Sequence, residues 1–198
     1  MRIALAGLAL AISTPVVAGD TVSMSERTEA DGSRTLSHEV LLDAAPDRVW
    51  WALATADGWK SWAVPVAFMD FRLGGAIETS YDPAAEQGDP KNIKSRILAY
   101  VPGRMLAFQA VQAPPGFPHP EILPSLWSVA EIEPAGKGRT RLRLSGFGYA
   151  RTAAHGRLYG FFKTGNASSL ESLRESLETG PIDWAKKLKQ NTPRGDGK

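Results

Sequence analysis

The chain has 198 residues, 23 basic against 21 acidic side chains, a formal net charge of +2 and no cysteine. So small a surplus makes no field that would gather nucleic acid or an anionic membrane surface. Without cysteine there is no disulfide framework, no thiol nucleophile and no lipid-modified cysteine.

Met1 and Arg2 form a short basic start, Ile3 to Ile12 an unbroken apolar stretch, and Val16, Val17 and Ala18 the small residues that a signal peptidase accepts. Ser13, Thr14 and Pro15 interrupt the run before it reaches the roughly 20 residues needed to span a bilayer. The expectation is a secretory signal, residues 1–18, removed on export to the periplasm or the medium and leaving no integral membrane segment. The roughly 180 residues left are enough for one domain that stands on its own core.

Residues 19–35 read as a polar lead. From Leu36 to Leu42 apolar and polar residues alternate, with Leu36, His38, Val40 and Leu42 on one side of a half-buried strand. Pro46 suits a first helical position and Asp47 the positive end of a helix, and Val49, Trp50, Leu53 and Ala54 recur at helical spacing. Trp59 and Trp62 lie three apart, as on one turn of a second short helix. Six short runs follow between turn residues: Val66 to Leu73, Ala76 to Tyr81, Ile93 to Val101, Met105 to Val111, Leu126 to Glu133 and Thr140 to Tyr149. Close hairpins imply antiparallel pairing. Phe162, Asn166, Ser169, Leu170, Leu173 and Leu177 mark one face of a long helix ending near Gly180 and Pro181. Residues 181–198, with Lys186, Lys187, Lys189, Arg194 and Lys198, read as a basic flexible tail.

One domain, 36–180, is therefore expected, an α+β arrangement in which a seven-stranded antiparallel sheet wraps around the C-terminal helix. The helix is the only long amphipathic segment able to cover the sheet's apolar face.

These elements, with the segment Ala45-Pro46-Asp47-Arg48-Val49-Trp50, a following Trp59 or Trp62, and Asp70-Phe71-Arg72-Leu73-Gly74-Gly75, resemble the START-like or SRPBCC superfamily. Val101-Pro102 with Leu106 and Phe108, and Thr140 to Leu144 followed by Ser145-Gly146-Phe147, extend the likeness over Leu36 to Leu177. It is nearest to the superfamily's group of homologues of the heat-shock-protein ATPase activator. The resemblance implies a helix-grip fold with space between sheet and helix. Two features depart from the group: Gly160-Phe161-Phe162 stands where Gly-Trp is common, and the polar stretch Ala150 to Leu158 is long.

Such a space is typically apolar with a few placed polar groups. The side chains expected to line it are Trp50, Trp59, Trp62, Phe71, Tyr81, Phe108, Phe117, Trp127, Phe162, Asn166 and Leu170; plain core packing is the competing reading of each aromatic. The loop Ala113 to Pro120, stiffened by prolines and carrying Phe117 and His119, is either a lid or a rigid connection. Trp127 and Val129 are read as entering the core near one end of their strand, and Glu131 and Glu133, on the same face, as lying where the strand leaves it. His38, His119 and His155 are scattered without metal-ligand spacing, no serine sits in a nucleophile elbow, and Gly74-Gly75 reads as a hairpin turn rather than a phosphate loop. No catalytic residue, metal or cofactor is assigned. The function expected is binding of a hydrophobic small molecule or lipid without catalysis. A cavity enzyme of cyclase or hydratase type and a chaperone-like interaction protein are the alternatives.

Overall fold

A computed structural model describes residues 21–191, which form the strands β1 (Ser23–Thr28), β2 (Arg34–Leu42), β3 (Val66–Met69), β4 (Ala76–Ser80), β5 (Ile93–Val101), β6 (Met105–Gln112), β7 (Trp127–Pro134) and β8 (Thr140–Tyr149). Helices α1 (Pro46–Ala54) and α2 (Ala56–Trp62) follow β2, and α3 (Ala153–Thr179) and α4 (Trp184–Asn191) close the chain. The strands make one antiparallel sheet in the order β1-β2-β8-β7-β6-β5-β4-β3. From β3 to β8 the chain meanders across the sheet, and β8 finishes beside β2. The connection α1–α2 therefore has to carry the chain from one side of the sheet to the far edge.

Two tryptophans and a glycine build that connection. A helix leaves its last carbonyls without partners inside the helix. Here Trp62 Nε1 donates to the Ala52 carbonyl (3.0 Å) and Trp59 Nε1 to that of Leu53 (2.8 Å), so α2 caps the end of α1. A Cβ on Gly58 would stand 2.2 Å from the Trp51 carbonyl oxygen, so only glycine lets α2 fold back this closely. Thr55 Oγ1 accepts the Gly58 N–H at 2.9 Å and starts α2.

The sheet's inner face and the helices enclose two apolar clusters. The larger joins Val40, Leu42, Ile77, Ile97, Leu106, Ala130, Ile132 and Leu142 of the sheet to Val49 and Leu53 of α1, Trp62 of α2, and Leu170 and Leu173 of α3. The smaller holds Leu36, Leu123, Leu126, Tyr149, Leu158 and Tyr159, with Phe117 and Phe162 against it.

Four expectations need correction. The sheet has eight strands rather than seven, because the supposed polar lead contains β1. All six residues of β1 are exposed and no apolar alternation marks them; backbone pairing with β2 in register Ser23↔Glu39 to Thr28↔Arg34 holds them. β3 ends at Met69, and Asp70 to Gly75 turn instead of extending: Gly75 N–H donates to the Arg72 carbonyl, while Gly74 and Gly75 exchange backbone hydrogen bonds with Ile97. α3 begins at Ala153 within the stretch read as polar, where Thr152 Oγ1 accepts the His155 N–H. The segment read as a flexible tail contains α4, docked by Trp184 Nε1 on the Lys60 carbonyl (2.6 Å) and by the Ile182 N–H on that of Ser61 (2.9 Å). The signal and the far C-terminal charges, Arg194 and Lys198, lie outside the described residues. No described helix is long and apolar enough to cross a membrane.

Candidate ligand site

Five elements around the interior carry a position that falls between the two apolar clusters. On β2 it is His38, between Leu36 and Val40; on β7 Ser128, between Leu126 and Ala130; on β6 Phe108, between Leu106 and Ala110. On β8 it is Leu144 and Gly146, and on α3 Asn166, four residues from both Phe162 and Leu170. Cross-strand register joins these positions: His38 faces Leu144, Gly146 faces Ser128, and Ser128 faces Phe108. A continuous band of small, polar and aromatic groups thus crosses the concave face beneath the middle of α3.

The band is not closed off from solvent. Leu144, Ser128 and Phe108 sit on interior strands and point inward, where complete burial is the rule, yet each is only half-buried, as are Phe162 and Asn166. Ser128 and Gly146 keep the side chains of the sheet small here. The Tyr149 ring lies over Gly146, its oxygen 3.0 Å from where a Cβ would stand. Burial, with the neighbouring Tyr159, holds the Tyr149 hydroxyl far above its ordinary pKa, so it stays a neutral phenol.

His38 is the ionisable member of the band and only 1% exposed. Its Nε2 lies 2.9 Å from the Lys163 carbonyl oxygen. A carbonyl only accepts, so Nε2 carries the proton and Nδ1 presents a lone pair, which has no partner among the described residues. Burial pushes the pKa down, against the raising effect of the Lys163 carbonyl, and leaves the ring neutral.

The proline-rich loop closes one end of the interior. Phe117 meets Phe161 edge to face at 5.3 Å and Phe162 at 6.4 Å. His119, in the left-handed region at φ 50°, holds Glu121 at 3.0 Å and accepts from Arg157 Nε at 2.6 Å. The loop therefore rests on the first half of α3 by one aromatic and one polar latch.

Of the residues expected to line a pocket, Phe108 borders the larger cluster, which includes Leu170, and Phe162 and Phe117 border the smaller, while Asn166 lies between Phe162 and Leu170 on α3. Trp59 and Trp62 are occupied in the α1–α2 connection. Trp50 packs edge-on to Phe71 (5.6 Å), which leans on Tyr100 (4.7 Å), in an aromatic group bordering the larger cluster. Tyr81, 60% exposed, sits past the end of β4 at a separate depression of about 200 Å³ shared with Asp82, Lys91 and Pro114. Trp127 does not enter the core: the inward row of β7 is Ser128, Ala130 and Ile132, which puts Trp127, Val129, Glu131 and Glu133 together on the outer face. That parity hid Ser128. His38 was legible as the one polar residue in an aliphatic inward row, while Leu144, Gly146 and Tyr149 needed the register of β8. Among the described residues no grouping of His, Cys, Asp and Glu could hold a metal ion.

An antiparallel sheet curled over one long C-terminal helix, with an interior band between them, defines the helix-grip class of START-like proteins. The chain belongs to the family described as Activator of Hsp90 ATPase homolog 1-like protein, whose profile matches residues 43–178. Among solved structures, it is similar to CalU16 from Micromonospora echinospora, at 20% identity over 85% of this chain and 90% of that one, TM-score 0.56. The Aha1 dimer from Colwellia psychrerythraea is similar at 20% identity over 74% and 97%, TM-score 0.57. Truncated norcoclaurine synthase from Thalictrum flavum shares 12% over 80% and 98%, TM-score 0.51. At these identities the likeness is one of fold. No curated protein sequence matches the chain.

Proposed function

We propose that the chain is exported, loses residues 1–18, and binds a small hydrophobic molecule between the sheet and α3 without transforming it. The observation that carries this reading is the half-buried band: Leu144, Phe108 and Phe162 are apolar surface facing inward and still accessible, which an apolar guest would cover. Ser128, Asn166 and the Nδ1 lone pair of His38 supply a few polar groups to orient it. Binding rather than catalysis is supported by what surrounds His38, whose Nε2 is committed to a helix carbonyl instead of a carboxylate that would tune it as a base.

Titrating the mature protein, residues 19–198, with a panel of fatty acids, sterols and polycyclic aromatics, followed by tryptophan fluorescence and native mass spectrometry, tests the reading. Saturable one-to-one binding by part of the panel supports it; silence in both measurements across the whole panel refutes it. Export is tested separately by N-terminal sequencing of the protein recovered outside the cytoplasm, with Gly19 the expected first residue.

A further inference from the structure

The other face of the sheet carries a second concavity, a groove of about 410 Å³ between β1 and β7 on the side away from α3. That volume falls in the range of about 300–1,000 Å³ typical of small-molecule sites. Cross-strand register lays its lining out in rungs. The floor is a row of three hydroxyls, Ser25, Ser37 and Ser145, paired in sequence across β1, β2 and β8, with Ser37 and Ser145 oxygens 2.8 Å apart. On one side runs the rung Glu39–Arg143–Glu131, in which Arg143 Nη2 bonds Glu39 Oε2 at 2.9 Å. On the other side stands Phe147, with Arg27 and Thr35 nearby on β1 and β2.

Phe147 gives the groove its character. Trp127 stacks on it at 4.2 Å with the rings 14° from parallel, covering one face of Phe147 and backing it as a rigid wall. The remaining face lines the groove. Sheet surfaces turned to water usually bear scattered polar groups; a backed aromatic wall opposite carboxylate and guanidinium, over a floor of hydroxyls, is a more specific set. Two arginines against two carboxylates leave the lining balanced, so it selects neither a phosphate nor an amine. A ring with an apolar C–H face and a rim of neutral hydroxyls satisfies all three sides at once: its face on Phe147, its rim on the serines, Glu131 and Arg143.

From this geometry we infer that the outer groove is a carbohydrate site that takes a neutral pyranose ring, free or within a glycan. The site is separate from the interior band and does not depend on it. The test is two-dimensional NMR titration of the mature protein with the methyl glycosides of glucose, galactose and N-acetylglucosamine, and with chitotetraose. Shifts with at least one of them, centred on the amides of Ser25, Ser37, Ser145 and Phe147, are expected. Phe147→Ala should weaken binding by about tenfold, the loss of roughly 1.4 kcal/mol of contact. Ser25→Arg, a change on the exposed strand β1, fills the groove without touching the core and should abolish binding. A response to the tetrasaccharide alone identifies a glycan segment as the occupant; a response to a monosaccharide identifies a free sugar. The inference is overturned if no sugar shifts these amides, or if binding survives unchanged in both folded variants.

Discussion

The neutral imidazole of His38 makes stability depend on pH. Burial lowers its pKa beneath the ordinary 6.5, so the unfolded chain takes up a proton that the folded chain resists. The contribution is whole above pH 6.5 and is lost as the pH falls from there toward the folded value, at no more than about 1.4 kcal/mol per pH unit. Urea unfolding across that window should show the slope in the wild type and its absence in His38→Gln. Glu78 has the opposite sign of charge and a similar outcome. Burial raises its pKa, but the Asn92 amide, the Gly88 N–H and Lys94 outweigh that and hold the carboxyl below its usual 4.5. Its contribution is present above pH 4.5 and lost as the pH falls through the folded value. Because the carboxylate accepts from Asn92 Nδ2 (2.8 Å) and Gly88 N (2.5 Å), it pins the loop between β4 and β5. Glu78→Gln should lower stability by about 1–3 kcal/mol, read by denaturant unfolding, and speed amide exchange in residues 82–92.

Elements announced themselves in the sequence in proportion to their burial. β2 and β8 alternate because one side of each meets the core, and both were legible almost to the residue. β1 has no buried residue, so no pattern of side chains betrays it; its pairing is backbone on backbone. The first turns of α3 were hidden for a related reason: they begin on Ala153, Ala154, His155 and Gly156, and only the cap at Thr152 marks the start. Thr152→Ala should cost about 1 kcal/mol in denaturant unfolding and fray that turn, because it removes the acceptor of the His155 N–H. Gly58→Ala should be far more damaging, by upwards of about 3 kcal/mol in the same measurement, since the Trp51 carbonyl cannot retreat without undoing the α1–α2 connection.

For the molecule as a whole, periodicity was enough to reach an antiparallel sheet wrapped on a C-terminal helix, because the inward faces of β2 and β8 and the stripe on α3 are written largely in apolar residues, and the resemblance of the motifs implied the helix-grip fold. The candidate interior site was less legible. Tryptophans drew attention as the largest side chains, yet Trp59 and Trp62 serve the α1–α2 connection and Trp127 faces outward. The band depends instead on small residues whose meaning appears only when four strands are set in register, such as Ser128 beside Gly146. The central claim, an apolar guest held in that band, is tested most directly by native mass spectrometry of the protein recovered from its own cells, comparing wild type with Ser128→Phe at matched melting temperature. The wild type should carry an additional apolar mass that is released on unfolding, and Ser128→Phe, its band filled, should carry none. An equal load on both proteins, or none on either even after incubation with the fatty-acid, sterol and aromatic panel, would contradict the account.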